Sequence, residues 1–243
     1  MKIKICGIFR EEDIDYVNEA RPDYAGFVFA ECRRQVTAEQ ASRLRRRLAE
    51  CITPVGVFID APIESIAALY RDRVINIAQL HGGESEEYII RLKEASGDTP
   101  VPVIKVIKSE SLNSLARGHG GTADYYLFDS GAGSGKPFNW NLLKSGTGDQ
   151  GLGTRDYYSN YATTSGLYPD SSNSPPYSLF PIPYSLFEKP WFLAGGIQLG
   201  NIEQAMTLGP FGIDVSSGAE TDGVKDREKI LRLTEIVRRG NKG

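Results

Sequence analysis

The chain contains no apolar run approaching the roughly 18 to 20 residues that span a bilayer, and no basic-then-apolar leader opens it. The expectation is a protein that works in the cytoplasm with no membrane partner. Cysteine is scarce: Cys6, Cys32 and Cys51 form an odd, scattered set without paired spacing. That excludes a disulfide framework and a zinc site of recurrent spacing, and it fits a reducing compartment. A surplus of positive charge is missing too. With a formal charge of −3 over 243 residues, the chain lacks the many-cation surface that nucleic-acid binding needs, so its partners should be small molecules. Low complexity does not dominate, and neither half of the chain repeats the other. What is there is 40% hydrophobic and 24% charged, the make-up of a globular chain long enough for one large core or two small ones.

Short apolar runs rich in Val, Ile, Phe and Tyr recur near residues 2–6, 24–30, 53–59, 74–80, 101–107, 124–129, 191–194 and 211–216, which predicts eight strands. Segments of helical period lie between them: Glu11-Ile14-Val17, Ala38-Ala41-Leu44-Leu48, Ile63-Ile66-Leu69 and Tyr88-Ile89-Leu92. A last helix over about Asp226 to Arg238 repeats Ile230, Leu233, Ile236 and Val237 and closes an eighth unit. Eight strand-helix units are the count of a (β/α)8 TIM barrel, whose reactive groups sit at the C-terminal ends of its strands. An open doubly wound sheet is the competitor, and it has no need of an eighth unit.

Residues 145–188 break the rhythm. After a sixth helix reduced to about Phe138 to Lys144, the stretch is crowded with Ser, Thr, Gly, Pro and Tyr and has no clear period. Because legible strands flank it, it reads as a long insertion between strand 6 and strand 7 of a single 1–243 barrel domain. Its composition suits a surface loop. Its many aromatic residues, Tyr157, Tyr161 and Phe180 among them, suit partial packing on the barrel. A loop from a helix to the next strand emerges on the face opposite the active site, which speaks against a lid.

Two strand ends carry reactive groups. Strand alternation puts Lys2, Lys4 and Cys6 on one face and Ile3 and Ile5 on the other, so Cys6 points into the barrel mouth if the apolar face meets the helices. Lys4, one pleat below, then lies inside as well, with Asp214 on the eighth strand as its counter-ion. A buried ammonium beside the thiol should favour the thiolate, drawing its pKa from about 8.5 towards neutrality. The alternative for Cys6 is a small buried hydrophobe. Asp129 ends strand six before the glycine-rich Ser130 to Gly135; its alternative is a turn cap. Base and acid on opposite sides of the mouth would reach different atoms of one bound sugar.

Ala194-Gly195-Gly196 after strand seven and Val215-Ser216-Ser217-Gly218 after strand eight have the composition of phosphate-binding loops, where glycine lets backbone N–H groups converge on an anion. Arg33 and Arg34 can present a two-pronged donor to a carboxylate. His81 lines the mouth or satisfies a loop, and Arg43, Arg45, Arg46 and Arg47 read as a solvated helix face with Glu39 and Glu50 as partners.

These motifs together resemble one family, phosphoribosylanthranilate isomerase of tryptophan biosynthesis. The resemblance rests on KICGI at Lys4 to Ile8, QLHG at Gln79 to Gly82, LFDSGAGSGKPFNW at Leu127 to Trp140, FLAGGI at Phe192 to Ile197 and DVSSGAE at Asp214 to Glu220, with Asp222 to Asp226 also fitting. It spans nearly everything except 145–188. It implies an Amadori rearrangement of N-(5-phosphoribosyl)anthranilate to 1-(2-carboxyphenylamino)-1-deoxyribulose 5-phosphate, with no metal and no organic cofactor. It also implies Asp129 as general acid, Cys6 as base, and Arg34 on the anthranilate carboxylate. Gly195, Gly196, Ser217 and Gly218 would hold the phosphate, with Gln79, His81 and Asp214 on the substrate. The loop Cys32-Arg33-Arg34-Gln35-Val36 departs from the usual family pattern, which leaves Arg33 as an alternative carboxylate ligand. Quaternary state stays open between monomer and homodimer. A ketol-isomerase of histidine biosynthesis is the nearest alternative activity, although such enzymes resemble one another through internal repeats and a strand-one carboxylate. A non-catalytic barrel with the tyrosine-rich insertion as its working surface is the alternative of another class.

Overall fold

The computed structural model describes residues 1–108, 121–129 and 189–240. In chain order these are β1 (Lys2–Cys6), α1 (Glu11–Ala20), β2 (Tyr24–Val28), α2 (Ala38–Arg47), β3 (Thr53–Phe58), α3 (Ile63–Arg71), β4 (Ile77–Leu80), α4 (Glu86–Ala95), β5 (Val103–Lys108) and β6 (Tyr125–Asp129). After them come β7 (Trp191–Leu193), α5 (Ile202–Met206), β8 (Gly212–Val215), a two-stranded hairpin of β9 (Glu220–Thr221) and β10 (Val224–Lys225), and α6 (Arg227–Gly240). The strands β1 to β8 form a closed barrel in sequence order, β8 pairing in parallel back onto β1. The expected reduced sixth helix, the glycine-rich turn 130–135 and the insertion 145–188 lie outside the described residues.

Closure follows from apolar residues on both faces of the strands. Outward-facing Ile3, Ile5, Ala25, Phe27, Leu193, Ile213 and Val215 join the helix residues Ile14, Val17, Ala41, Leu44, Ile66, Leu92, Ile230 and Leu233 in one buried shell. Inward-facing Tyr24, Val55, Ile77, Ile104, Val106, Leu127, Phe192 and Ala194 form a second, separate core inside the ring. Phe192 meets Tyr24 and Phe211 edge-on, each at 5.5 Å between ring centroids, contacts worth about 1 kcal/mol apiece beyond the area they bury. Gly212 makes room for this plug, since a Cβ there would sit 2.6 Å from the Phe192 ring. Among the described residues the inner cluster fills the barrel interior, and a cavity opens at the C-terminal ends of the strands.

Local signals set the helix starts. Thr37 caps α2 by accepting from the Gln40 N–H at 3.2 Å while the Gln40 side chain accepts from the Thr37 N–H, and Ser85 caps α4 through the Tyr88 N–H. Two strands start later than their apolar runs predict: β5 at Val103, not 101, and, by the larger margin, β4 at Ile77, not near residue 74. Val74 and Ile75 are buried in the outer shell, but they belong to the turn after α3, where Arg73 adopts φ +58°. Burial without ladder pairing produces the same apolar pattern as a strand. Going round the ring by way of β7 and β8, β1 and β6 stand three strands apart, across much of the mouth but not diametrically opposed.

Candidate active site

Cys6 closes β1 with its side chain inside the barrel, 7% exposed. Gly26, beside it on β2, is what admits the thiol: a Cβ at that position would lie 2.8 Å from Cys6 Sγ. Glycine within a strand is the sequence signal for such close approach, and Gly26 is a site residue that the motif reading passed over. One pleat below, Lys4 is fully buried and its Nζ lies 3.0 Å from Asp214 Oδ1, the partner its register Lys4↔Asp214 provides.

The electrostatics at Cys6 run against the sequence-based expectation. Burial pushes the thiol above its ordinary pKa, Asp214 adds to the rise, and Lys4 and Lys225 offset it only in part. Burial is the largest cause, and the field of Lys4 at the thiol is opposed by that of the Asp214 carboxylate it already holds. Burial alone would lower Lys4, yet Asp214 and Cys6 prevail and its pKa rises, so it stays an ammonium. Removing one member of such a pair leaves an uncompensated buried charge, a loss of about 3–5 kcal/mol. Lys4→Met should therefore lower the urea midpoint sharply, with Lys4→Met/Asp214→Asn recovering part of the loss. An unchanged midpoint in the single variant would contradict the burial of this pair.

Asp129 ends β6 across the mouth, where its Oδ2 is 3.3 Å from His81 Nε2. His81 follows β4, held by its N–H to Phe58 O at 2.8 Å. Beneath it lies a clamp no motif announced. The buried Glu84 carboxylate accepts from the Asp60 and Gly82 N–H groups and pairs with Lys105 Nζ at 2.6 Å, tying the turns after β3 and β4 to the middle of β5. Burial alone would raise the Glu84 carboxyl, but Lys105 and the backbone N–H groups of Asp60 and of Glu84 itself hold it below the usual range.

After β7 and β8 the chain makes the two glycine turns. Gly195 and Gly196 have φ +88° and +66°, backbone that side-chain-bearing residues rarely adopt. Asn201 fastens their loop by donating to Gly196 O and accepting from the Gln198 N–H. Gly218 meets a different constraint, since a Cβ there would lie 1.9 Å from Ile197 O, so only glycine lets the loops after β7 and β8 pack together.

Of the two arginines after β2, Arg34 lines the mouth, whereas Arg33 is half-exposed and turned to Glu220 and Gly223 O. The Arg34 stem crosses Gly7, where a Cβ would be 2.4 Å from Cδ. Glu220, buried on β9, meets Arg33, Arg34 and Lys225. Burial alone would raise its carboxyl, but Lys225 and the two arginines overturn that and hold it at about 2. Neither Glu220 nor Lys225 was singled out as a site residue. The signal was the Asp222-Gly223 pair, whose positive φ values of 50° and 83° make the hairpin turn that returns Lys225 to Glu220.

Cys6, Arg34, Gln79, His81, Asp129, Gly195, Gly196, Asp214 and Ser217 line one cavity of about 350 Å³. Gly218, the next residue after Ser217, is not among the lining residues. Val28, Val57 and Ile59 supply an apolar wall. Gln79 is 2% exposed and its Oε1 has no hydrogen-bond partner, leaving an acceptor for whatever enters. Among the described residues no group of three or more His, Cys, Asp or Glu could hold a metal ion, and no helix is long and apolar enough to cross a membrane.

A closed eight-stranded parallel barrel with a thiol, a carboxyl group and two glycine turns gathered at the C-terminal ends of its strands defines the class, a (β/α)8-barrel enzyme. Residues 3–161 and 182–235 match the family model for N-(5'-phosphoribosyl)anthranilate (PRA) isomerase, and the chain belongs to that family. The match runs further into 145–188 than the motifs suggested, leaving only 162–181 unmatched in that stretch. The chain is 39% identical over 244 residues to the N-(5'-phosphoribosyl)anthranilate isomerase of Endomicrobium trichonymphae, covering 98% of each. Its fold matches the phosphoribosyl anthranilate isomerase of Thermus thermophilus with a TM-score of 0.70 at 28% identity, over 98% of this chain and 99% of that one. A phosphoribosyl anthranilate isomerase solved in complex with reduced 1-(o-carboxyphenylamino)-1-deoxyribulose 5-phosphate shares the fold, with a TM-score of 0.66 at 24% identity and 98% coverage of both chains.

Proposed function

We propose that this protein converts N-(5-phosphoribosyl)anthranilate into 1-(2-carboxyphenylamino)-1-deoxyribulose 5-phosphate, using Cys6 as base and Asp129 as acid. The observation that carries the reading is that both groups, on strands remote in sequence, line one cavity with Arg34 and the glycine turns of β7 and β8. Asp129 donates a proton to the furanose ring oxygen; the C1–O bond breaks and the anilino nitrogen closes a cationic C=N bond. Cys6 takes the proton from C2, and the electron pair moves into a C1=C2 bond, neutralising the nitrogen. The C2 hydroxyl then gives its proton to the Asp129 carboxylate while the Cys6 thiol gives one to C1, which forms the ketone and returns both groups to their starting state.

The raised pKa of Cys6 is compatible with this order of events. The cation appears one bond from C2 only after ring opening, and it joins Lys4 and Lys225 in favouring the thiolate when the base is needed. At the substrate's other groups, Arg34 holds the anthranilate carboxylate and the ring packs on Val28, Val57 and Ile59. Gln79 Oε1 accepts a hydrogen bond from a sugar hydroxyl, which Asp214 also approaches. Backbone N–H groups of Gly195, Gly196, Ser217 and Gly218 take the phosphate.

Residues 1–243 act as one barrel domain that carries 145–188 as an insertion. All the groups invoked come from one chain, so a monomer suffices, and a homodimer would work equally well. Three free thiols, two of them exposed, support a reducing cytoplasmic setting.

Turnover of N-(5-phosphoribosyl)anthranilate, followed by loss of its fluorescence, tests the reading. A folded but inert wild-type protein would sink it and favour a non-catalytic barrel. Gly218→Ala tests the phosphate cradle: forcing the two loops apart by about 1 Å should lower kcat/KM about 10²-fold and weaken inhibition by inorganic phosphate. Unaltered phosphate inhibition would remove Gly218 from the cradle.

A further inference from the structure

We propose that Glu220 is a positioning residue that aims Arg34 into the cavity, and that Lys225 ties that aim to the loop after β8. The proposal rests on the reading of the cavity as a site for a phosphorylated substrate bearing an aryl carboxylate.

A guanidinium offers two bidentate edges, one through Nε and Nη2 and one through Nη1 and Nη2. Glu220 occupies the first: its Oε1 is 2.7 Å from Nε, and its Oε2 accepts from Nη2 at 3.3 Å. The Nε hydrogen has no aligned acceptor, so the short Nε contact is coulombic and the Nη2 bond sets the orientation. The second edge is left for a ligand carboxylate.

Glu220 cannot swing away to follow Arg34. It also holds Arg33 and the fully buried Lys225, whose Nζ donates to Glu220 Oε1 at 2.7 Å and to Ser216 O at 3.0 Å. Ser216 Oγ in turn donates to Cys6 O at 3.2 Å. One linked series therefore joins the arginine, the loop proposed for phosphate and the strand end that bears the thiol. The charges make the same point. One carboxylate facing three cations leaves positive charge in surplus, so an incoming carboxylate gains attraction without displacing Glu220.

The consequence is selectivity for a carboxylate-bearing substrate. The test compares N-(5-phosphoribosyl)anthranilate with N-(5-phosphoribosyl)aniline, which lacks the carboxylate, on the full chain, with product followed by chromatography. Glu220→Asp keeps the charge that Lys225 needs while withdrawing it from Arg34, and Glu220→Gln serves as the harsher variant where it folds. Glu220→Asp should raise KM for the anthranilate compound about tenfold, the loss of one well-aimed charged hydrogen bond. Its kcat, and its kcat/KM for the aniline compound, should stay near wild type. In an Arg34→Ala background Glu220→Asp should add nothing. Equal losses on both substrates, or losses that multiply in the Arg34→Ala background, would overturn the positioning role and leave Glu220 merely structural. A wild-type protein inert on the anthranilate compound would instead overturn the function reading, and this proposal with it.

Discussion

Cys6→Ala should leave a folded barrel that binds substrate with nearly unchanged KM and turns it over about 10² to 10⁴ times more slowly, the range for loss of a positioned general base. Folding should survive because the end of β1 is held by backbone bonds, Gly7 N and Ile8 N both donating to Gly26 O at 2.9 Å, and because the thiol occupies space that Gly26 leaves open. Wild-type kcat/KM should also carry a pH signature. Burial raises the pKa of this thiol, so the base-competent thiolate is the minor form of the free protein at neutral pH. Because the reactive form holds a proton on Asp129 and none on Cys6, kcat/KM should follow a bell whose alkaline limb falls at the raised thiol value. Stopped-flow and steady-state fluorescence on the variant and wild type measure both effects. A Cys6→Ala protein retaining more than about a tenth of wild-type kcat would remove the thiol from the chemistry, since a base is expected to supply at least about 10²-fold.

Asp129→Asn should produce a loss of similar size for a different reason. The amide matches the carboxyl group in shape and keeps an acceptor near His81 Nε2, now 3.3 Å from Asp129 Oδ2, yet it has no proton to give to the ring oxygen. The fall should therefore appear in kcat, about 10² to 10⁴-fold, while the affinity for a reduced, ring-opened product analogue stays within a few-fold of wild type. Single-turnover fluorescence separates the two quantities. If the Asn variant kept its rate, Asp129 would not be the acid, and His81, its neighbour in the same cavity, would be the next group to replace.

Much of this site could be read along the chain. Period-two alternation in Lys2 to Cys6 and the break at Gly7 placed the thiol on the inner face of a strand end, and the same reasoning put Asp129 at the end of β6. The glycine pairs after β7 and β8 were legible because left-handed backbone and close loop contact each demand that residue. Glu220, Lys225 and Glu84 were not legible as organisers. A charged residue in a loop has the same appearance in sequence whether it is solvated or buried among cations, and only the partners distinguish the two. Gly26 escaped for a related reason, because what its missing side chain makes room for belongs to another strand.

By itself the sequence determined the alternation of strand and helix, the count of eight, and the inward aim of the reactive groups, since these follow from local periodicity and backbone preference. Tertiary structure alone decided which charges meet. Lys4 and Asp214 are 210 residues apart, and Arg34 and Glu220 are 186 apart. It also decided that the Cys6 pKa moves up and not down. Proton affinity depends on the dielectric surroundings and on every charge nearby, and both are assembled only when β8 closes against β1.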